Sequence, residues 1–231
     1  MKKTIYPFFV LFLLVQSLAA QVDSVYQEPS EWKSGFFIRV PLPYINYGIA
    51  SFPHMRQEIK AAKVDNFDRI IYFFPFEAGW RTRDWLFGLN VALPLAYRKQ
   101  SFAFATASIE RAVLKTRNYR VNLFVSGGYY EYAFSYTRKD PNQQISTQNL
   151  FSSSLIGSPE LMHKGGMMNV GLALMSLEKR RVSMSSYARI GYSFGFKSTR
   201  WTSPTATIIA APSDRFGMAY IQYLFHLSRN K

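Results

Sequence analysis

The stretch that decides the fold runs from residue 85 to residue 97: Trp85-Leu86-Phe87-Gly88-Leu89-Asn90-Val91-Ala92-Leu93-Pro94-Leu95-Ala96-Tyr97. Its odd positions carry Trp85, Phe87, Leu89, Val91, Leu93, Leu95 and Tyr97, and its even positions Leu86, Gly88, Asn90, Ala92, Pro94 and Ala96. Successive strand side chains point to opposite faces, so one face is apolar with an aromatic ring at each end, and the other is small or polar. About 12 residue steps at ~3.3 Å, tilted by ~40°, rise about 30 Å, the spacing of the two bilayer interfaces where Trp and Tyr collect. A strand of that length with a greasy outside predicts an all-β fold: an antiparallel, up-and-down transmembrane β-barrel of the outer-membrane kind, with about eight strands.

The rest of the chain is consistent with export to such a site. Lys2 and Lys3, the apolar run Phe8 to Val15, and the small residues of Ser17-Leu18-Ala19-Ala20 read as a signal peptide over 1–20, cleaved before Gln21. A polar periplasmic lead-in over 21–34 precedes a single barrel domain over 35–231. The chain has no cysteine, which excludes disulfides, thiolate metal sites, a lipoprotein anchor and a cysteine nucleophile. Hydrophobic residues make up 48% and aromatics 17%, a richness in Phe and Tyr that suits a lipid-facing band with two girdles. The formal net charge of +14 permits an anionic partner. The bases are scattered among strand ends and turns without interleaved stacking aromatics, so lipid phosphates rather than nucleic acid are the expected counter-ions.

Alternation marks strands at roughly 36–49, 67–80, 84–98, 101–116, 119–137, 166–178, 182–197 and 215–227. With the N-terminus in the periplasm, the three longest connections, 50–66, 138–165 and 198–214, fall outside, and the short ones at 81–83, 117–118 and 179–181 fall in the periplasm, as bacterial barrels require, the tight 99–100 link being the one short outer loop. Residues 148–157 are assigned to an outer loop with local β structure. Pro41 and Pro43 break the pattern, because each withholds an N–H from the first strand's ladder. Gly127-Gly128 is expected to be a bulge that switches the faces of strand five, turning Tyr130, Tyr132, Phe134 and Tyr136 outward and Glu131 inward.

If the apolar register faces lipid, the lumen receives a polar network of Arg39, Glu77, Asn90, Glu110, Asn122, Glu131, Asn169, Arg189 and Gln222, joined by Tyr187 and Tyr220. An eight-stranded barrel holds side chains but no wide channel, so these acids and bases are expected to pair as a plug. The aromatic girdle is assigned to Trp85, Tyr97, Tyr223 and Phe225. Arg81, Arg83, Lys115, Arg117, Lys179, Arg180 and Arg181 gather at the periplasmic strand ends, where cationic side chains meet phospholipid headgroups.

Catalytic chemistry has little to draw on. His54 and His163 fall in predicted outer loops with Ser51, Ser158 and Glu160 nearby, but their spacing forms no nucleophile-and-base arrangement. Three scattered histidines supply no metal-ligand spacing. Gly165-Gly166 reads as a turn. No catalytic residue, metal or cofactor is assigned.

His226-Leu227-Ser228 resembles, over three residues, the His-x-Ser pair of outer-membrane lipid A deacylases, at the chain end on the predicted periplasmic rim. As a whole the chain resembles the small outer-membrane barrels typified by the OmpA transmembrane domain and OmpX-like proteins. The resemblance lies in the leader, strand lengths, loop parity and the final aromatic strand Ile221, Tyr223, Phe225 and Leu227, followed by a basic tail from Ser228 to Lys231. It implies residence in the bacterial outer membrane, assembly by the barrel-assembly machinery, and contact with lipopolysaccharide and phospholipid headgroups. The leading expectation is a non-enzymatic barrel presenting its outer loops to an envelope partner. The alternatives are a narrow channel, a lipid-modifying enzyme, and a soluble barrel with its apolar register turned inward.

Overall fold

The computed structural model describes residues 34–42, 46–61, 69–94, 100–116, 118–135, 160–176, 182–204 and 211–230. The signal-peptide region, most of the lead-in, Tyr97, Arg117, Lys179, Arg180, Arg181 and residues 148–157 lie outside them. The elements are β1 (Ser34–Pro41), β2 (Tyr47–Ser51), α1 (Pro53–Ala61), β3 (Ile70–Thr82), β4 (Trp85–Pro94), β5 (Gln100–Lys115), β6 (Tyr119–Ser135), β7 (Glu160–Ser176), β8 (Val182–Gly195), β9 (Thr199–Arg200), β10 (Ser213–Asp214) and β11 (Gly217–Asn230).

These strands close into one eight-stave antiparallel barrel. β3 to β8 pair in chain order, β8 pairs with β11, and the last gap is filled by β1 and β2 in succession, each bonded to β11 on one side and β3 on the other. Every described strand of the barrel sheet is paired on both sides, the condition for a β-structure to sit in lipid.

The two faces are chemically opposite. Outward lie Phe36, Ile38, Ile49, Trp80, Trp85, Phe87, Leu89, Val91, Leu93, Leu172, Leu174, Ile190 and Ile221, with Leu89 67% exposed. Inward lie Arg39, Glu77, Asn90, Glu110, Asn122, Asn169, Arg189 and Gln222, none above 5%. A soluble barrel would reverse this, so the apolar register is turned outward. Inward glycines allow the wall to coil tightly around large lumen rings. A Cβ on Gly171 would lie 2.2 Å from the Ile190 carbonyl oxygen and 2.8 Å from the Phe124 ring.

The first stave is broken rather than continuous over 36–49. Pro41 pairs with Leu224 and Tyr47 with Ile221, so five residues of the first stave stand where β11 has two. Three extra residues flip the alternation: Phe37, Arg39 and Pro41 face in before the break, and Gly48 and Ala50 after it. Both halves thereby keep apolar side chains outward. Asn46 repairs the ladder. Its Nδ2 donates to the Leu42 carbonyl (2.9 Å), its Oδ1 accepts from the Tyr223 N–H (2.8 Å), and its own carbonyl accepts from Phe73 N–H (3.3 Å).

The switch expected at Gly127-Gly128 does not occur. β6 pairs with β5 and β7 in unbroken register through both glycines, so its even residues face inward from Arg120 to Phe134. Tyr130, Tyr132 and Phe134 are therefore buried in the lumen, and Glu131 lies on the outer face opposite Lys164. The register irregularity of this region lies instead in β5, between Ala112 and Leu114. β7 begins at Glu160, six residues earlier than expected, so Gly165-Gly166 is strand, paired with Tyr130 and Tyr129, and not a turn. β11 runs on to Asn230 and pairs with β1, which makes the expected tail part of the wall.

The links at the end of the barrel formed by β3–β4, β5–β6 and β7–β8 are short where described. Arg83-Asp84 is a two-residue hairpin turn with Arg83 at φ 44°, the left-handed backbone such turns demand. The outer connections carry structure of their own, namely α1 between β2 and β3 and the β9–β10 hairpin between β8 and β11.

Candidate functional site

Below the middle of the lumen, side chains from six staves meet in one charge-balanced cluster. Arg39 Nη1 donates to Glu77 Oε2 (2.8 Å) and Glu110 Oε1 (2.7 Å), and its Nη2 donates to Glu110 Oε2 (3.2 Å). Arg189 Nη2 donates to Glu77 Oε2 (3.1 Å) and also to Glu110 Oε1. Two guanidiniums thus share two carboxylates, and their formal charges cancel.

Neutral groups take the remaining valences. Tyr187 Oη donates to Glu110 Oε1 (2.7 Å), Asn122 Nδ2 to Glu110 Oε2 (3.1 Å) and Ser108 Oγ to Glu77 Oε1 (2.7 Å). Arg189 Nε donates to Tyr187 Oη (2.9 Å) and its Nη1 to Gln222 Oε1 (3.4 Å). The Arg39 guanidinium lies 3.6 Å from the Tyr187 ring centroid, and that of Arg189 lies 4.4 Å from Phe124. A buried ion cluster this fully bonded offsets its desolvation cost and ties β1, β3, β5, β6, β8 and β11 together across the lumen.

The structure therefore brings Arg39, Glu77, Glu110, Asn122, Arg189 and Gln222 into one network. Asn90 and Asn169 face the same lumen outside its bonds, with Asn169 Nδ2 donating to Ser126 Oγ (2.7 Å). Glu131 is not in the lumen at all. Of the assigned girdle, Trp85 is exposed on the outer face beside Phe87, and Tyr223 and Phe225 are half-buried there.

Of the assigned periplasmic-rim bases, Arg83 is exposed in its turn and Lys115 pairs with Asp84. Arg81 is not at the surface of the rim as expected: its position in β3 has the parity of Glu77, and it is buried inside the barrel. Arg120, unassigned from sequence, is buried too. It donates to the carbonyls of Arg83 (3.1 Å) and Asp84 (2.8 Å) and to Asn122 Oδ1 (2.8 Å), which holds the β3–β4 turn against the lumen.

The outer half of the lumen is filled by rings. Phe73, Phe102, Tyr130, Tyr132 and Phe216 point in from the wall side, and Phe52 and Trp201 enter from the outer connections. Phe52 packs 4.8 Å from Tyr132 and 4.9 Å from Trp201, and Tyr130 stacks 4.2 Å from Phe216. Over this plug lies α1, which buries Met55 and Ile59, one helical turn apart, and exposes its charged side chains.

One buried carboxylate joins two of the outer connections, β2–β3 and β8–β11. Asp214 accepts from the His54 N–H (2.9 Å) and Met55 N–H (2.9 Å) at the start of α1, and from Trp201 Nε1 (2.9 Å). It thus caps a helix from another segment. Pro53 opens that helix in its first turn, where a missing N–H breaks no intrahelical bond.

The histidines occupy three different settings. His54 is exposed at the start of α1, with Nδ1 3.2 Å from Asp214 Oδ1. His163 is in β7, not in a loop, and is buried between the hydroxyls of Tyr130 and Thr199, each 2.8 Å away. His226 lies inside the wall rather than on the rim, its Nδ1 accepting from Arg39 Nε (3.1 Å). Among the described residues, no group of three or more His, Asp and Glu could hold a metal ion.

No protein-family model matches the chain, and no curated protein matches it. Among solved structures it is similar to the crystal structure of Neisserial surface protein A (NspA), at 10% identity and a TM-score of 0.38, over 83% of this chain and 95% of that one. Closure is established independently by the β1–β3 and β8–β11 pairings. The fold is a closed eight-stranded antiparallel β-barrel with its apolar register outward, and this likeness gives no tie to OmpA or OmpX-like proteins in particular.

Proposed function

We propose that this chain is a non-enzymatic integral protein of the bacterial outer membrane, a closed barrel that anchors the connections between β2 and β3, β6 and β7, and β8 and β11 at the cell surface for contact with an envelope partner. The observation that carries this reading is that the lumen is stoppered twice by the barrel's own side chains, by the Arg39–Glu77–Glu110–Arg189 cluster below and by the aromatic plug under α1 above. A barrel so filled favours anchoring over conduction, and the pairing of each histidine with structural neighbours favours it over hydrolysis. Its expected surroundings are lipopolysaccharide and phospholipid headgroups. On the periplasmic side Arg111 lies 5.2 Å from the Trp85 ring, a cation-and-aromatic pair suited to an interfacial phosphate. Insertion by the barrel-assembly machinery, after removal of residues 1–20, belongs to the same reading.

Membrane fractionation tests the location, with the detergent-extracted protein run on SDS gels with and without boiling. Recovery in the outer membrane with a faster unboiled band is the expected result, and a soluble periplasmic protein would overturn it. Planar-bilayer recording tests the closed lumen: the anchor reading expects no steady conductance, and stable unit currents from the wild-type barrel would transfer the assignment to a channel.

A further inference from the structure

Between the ion cluster and the aromatic plug, the inward side chains of β4 to β8 change character. Down β5 the lumen sees Phe102 and Phe104, then Thr106 and Ser108, then Glu110; down β6 it sees Tyr132 and Tyr130, then Gly128 and Ser126. β4 adds Asn90, β7 adds Asn169 and β8 adds Ser193 at this level, and each of these polar side chains is buried. Small hydrogen-bonding residues thus line the lumen on its β4 to β8 side at this level.

Part of this layer is satisfied internally, since Ser108 bonds to Glu77 and Asn169 Nδ2 bonds to Ser126. Three oxygens are not. Asn90 Oδ1, Thr106 Oγ1 and Asn169 Oδ1 have no hydrogen-bond partner among the described residues, although their side chains point into the lumen. Asn90 and Thr106 are register partners on adjacent strands, so two of the three stand side by side. Buried oxygens of this kind are rare in folded proteins, because a lost water bond that nothing replaces is costly.

We infer that this layer is a binding site for ordered water, a small cluster shut between the two stoppers and bonded to Asn90, Thr106 and Asn169. Water fits the demand, since each molecule donates to acceptors and makes two to four bonds in a small polar space. A cation fits poorly. Arg39 and Arg189 lie just below, and the two carboxylates that could attract it are already neutralised by them. An apolar ligand would leave all three oxygens bare.

Thr106→Val tests the site by removing the hydroxyl while nearly keeping the shape. If water bonds Thr106 Oγ1, the substitution breaks that bond and the thermal midpoint of the detergent-solubilised barrel, read from the unboiled gel band, falls by several degrees. If the oxygen is bare, removing it leaves the midpoint unchanged or raises it, and the inference fails. Should the variant not assemble, a crystal structure of the wild-type barrel at a resolution that shows ordered solvent decides. Water within hydrogen-bond distance of Thr106 Oγ1 and Asn90 Oδ1 sustains the site, and a dry layer or a coordinated cation overturns it.

Discussion

The side-chain oxygen of Asn46 accepts the backbone N–H of Tyr223 at 2.8 Å, supplying to β11 the bond that the interrupted first stave cannot offer from its own backbone. The same amide donates back to Leu42, on the other side of the break. Asn46 is buried, so Asn46→Ala strips a partner from a wall N–H that lipid cannot replace. The expected cost is about 1–3 kcal/mol, read as a lower unfolding midpoint with the folded gel mobility retained. A variant as stable as the parent would mean that the break is held by something other than this amide.

Glu110 is the busiest acceptor in the lumen, taking bonds from Arg39, Arg189, Asn122 and Tyr187. Glu110→Gln sets two guanidiniums against one carboxylate, at an expected cost of about 3–5 kcal/mol in urea unfolding. Adding Arg39→Met removes the surplus charge, so the double variant should be less destabilised than the sum of the two single changes. Strict additivity would show that the quartet does not act as a unit.

How much of this was legible in the residues follows from where period two is unambiguous. In β4 every large apolar residue except Leu86 shares one parity, so the outward register and the inward position of Asn90 follow directly. The same holds for Arg39, Glu77, Arg189 and Gln222. β6 has apolar residues on both parities above Ser126, because Tyr130, Tyr132 and Phe134 belong to the aromatic plug. A lumen that is apolar in its outer half imitates a lipid face, and a Gly-Gly pair invites the wrong remedy. Arg81 was legible in principle, two residues beyond Gly79 and four beyond Glu77 in one strand. Its place near the strand end drew it to the rim. Asn46 and Asp214 were out of reach, since each acts on residues more than a hundred positions away.

Asp214 gives the outer connections a common attachment, so its loss should act locally. Asp214→Ala leaves two N–H groups of α1 and the Trp201 indole without their acceptor, while the wall pairing is untouched. About 2 kcal/mol of lost local stability corresponds to roughly thirtyfold faster trypsin cleavage at Arg56 and Lys60 on α1. The heat-modifiable band of the barrel should persist. Unchanged cleavage would place the hold on α1 in Phe52, Met55 and Ile59 instead.

Glu131 and Glu77 offer a direct test of the β6 register. Glu131 stands on the outer face opposite Lys164 and Ala103, with its neighbours Tyr130 and Tyr132 turned inward. Glu77 is buried in the quartet. Neutralising an outward carboxylate near a strand end should move stability by no more than about 0.5 kcal/mol, so Glu131→Gln is expected to unfold like the parent. Glu77→Gln leaves Arg39 and Arg189 sharing one carboxylate and should cost about 3–5 kcal/mol under the same conditions. A one-residue slip beyond Gly127-Gly128 would put Glu131 in the lumen and return Tyr130 and Tyr132 to the outside. Equal losses from the two substitutions would therefore establish that slip and dissolve the aromatic plug, whereas a silent Glu131→Gln beside a damaging Glu77→Gln fixes the continuous register.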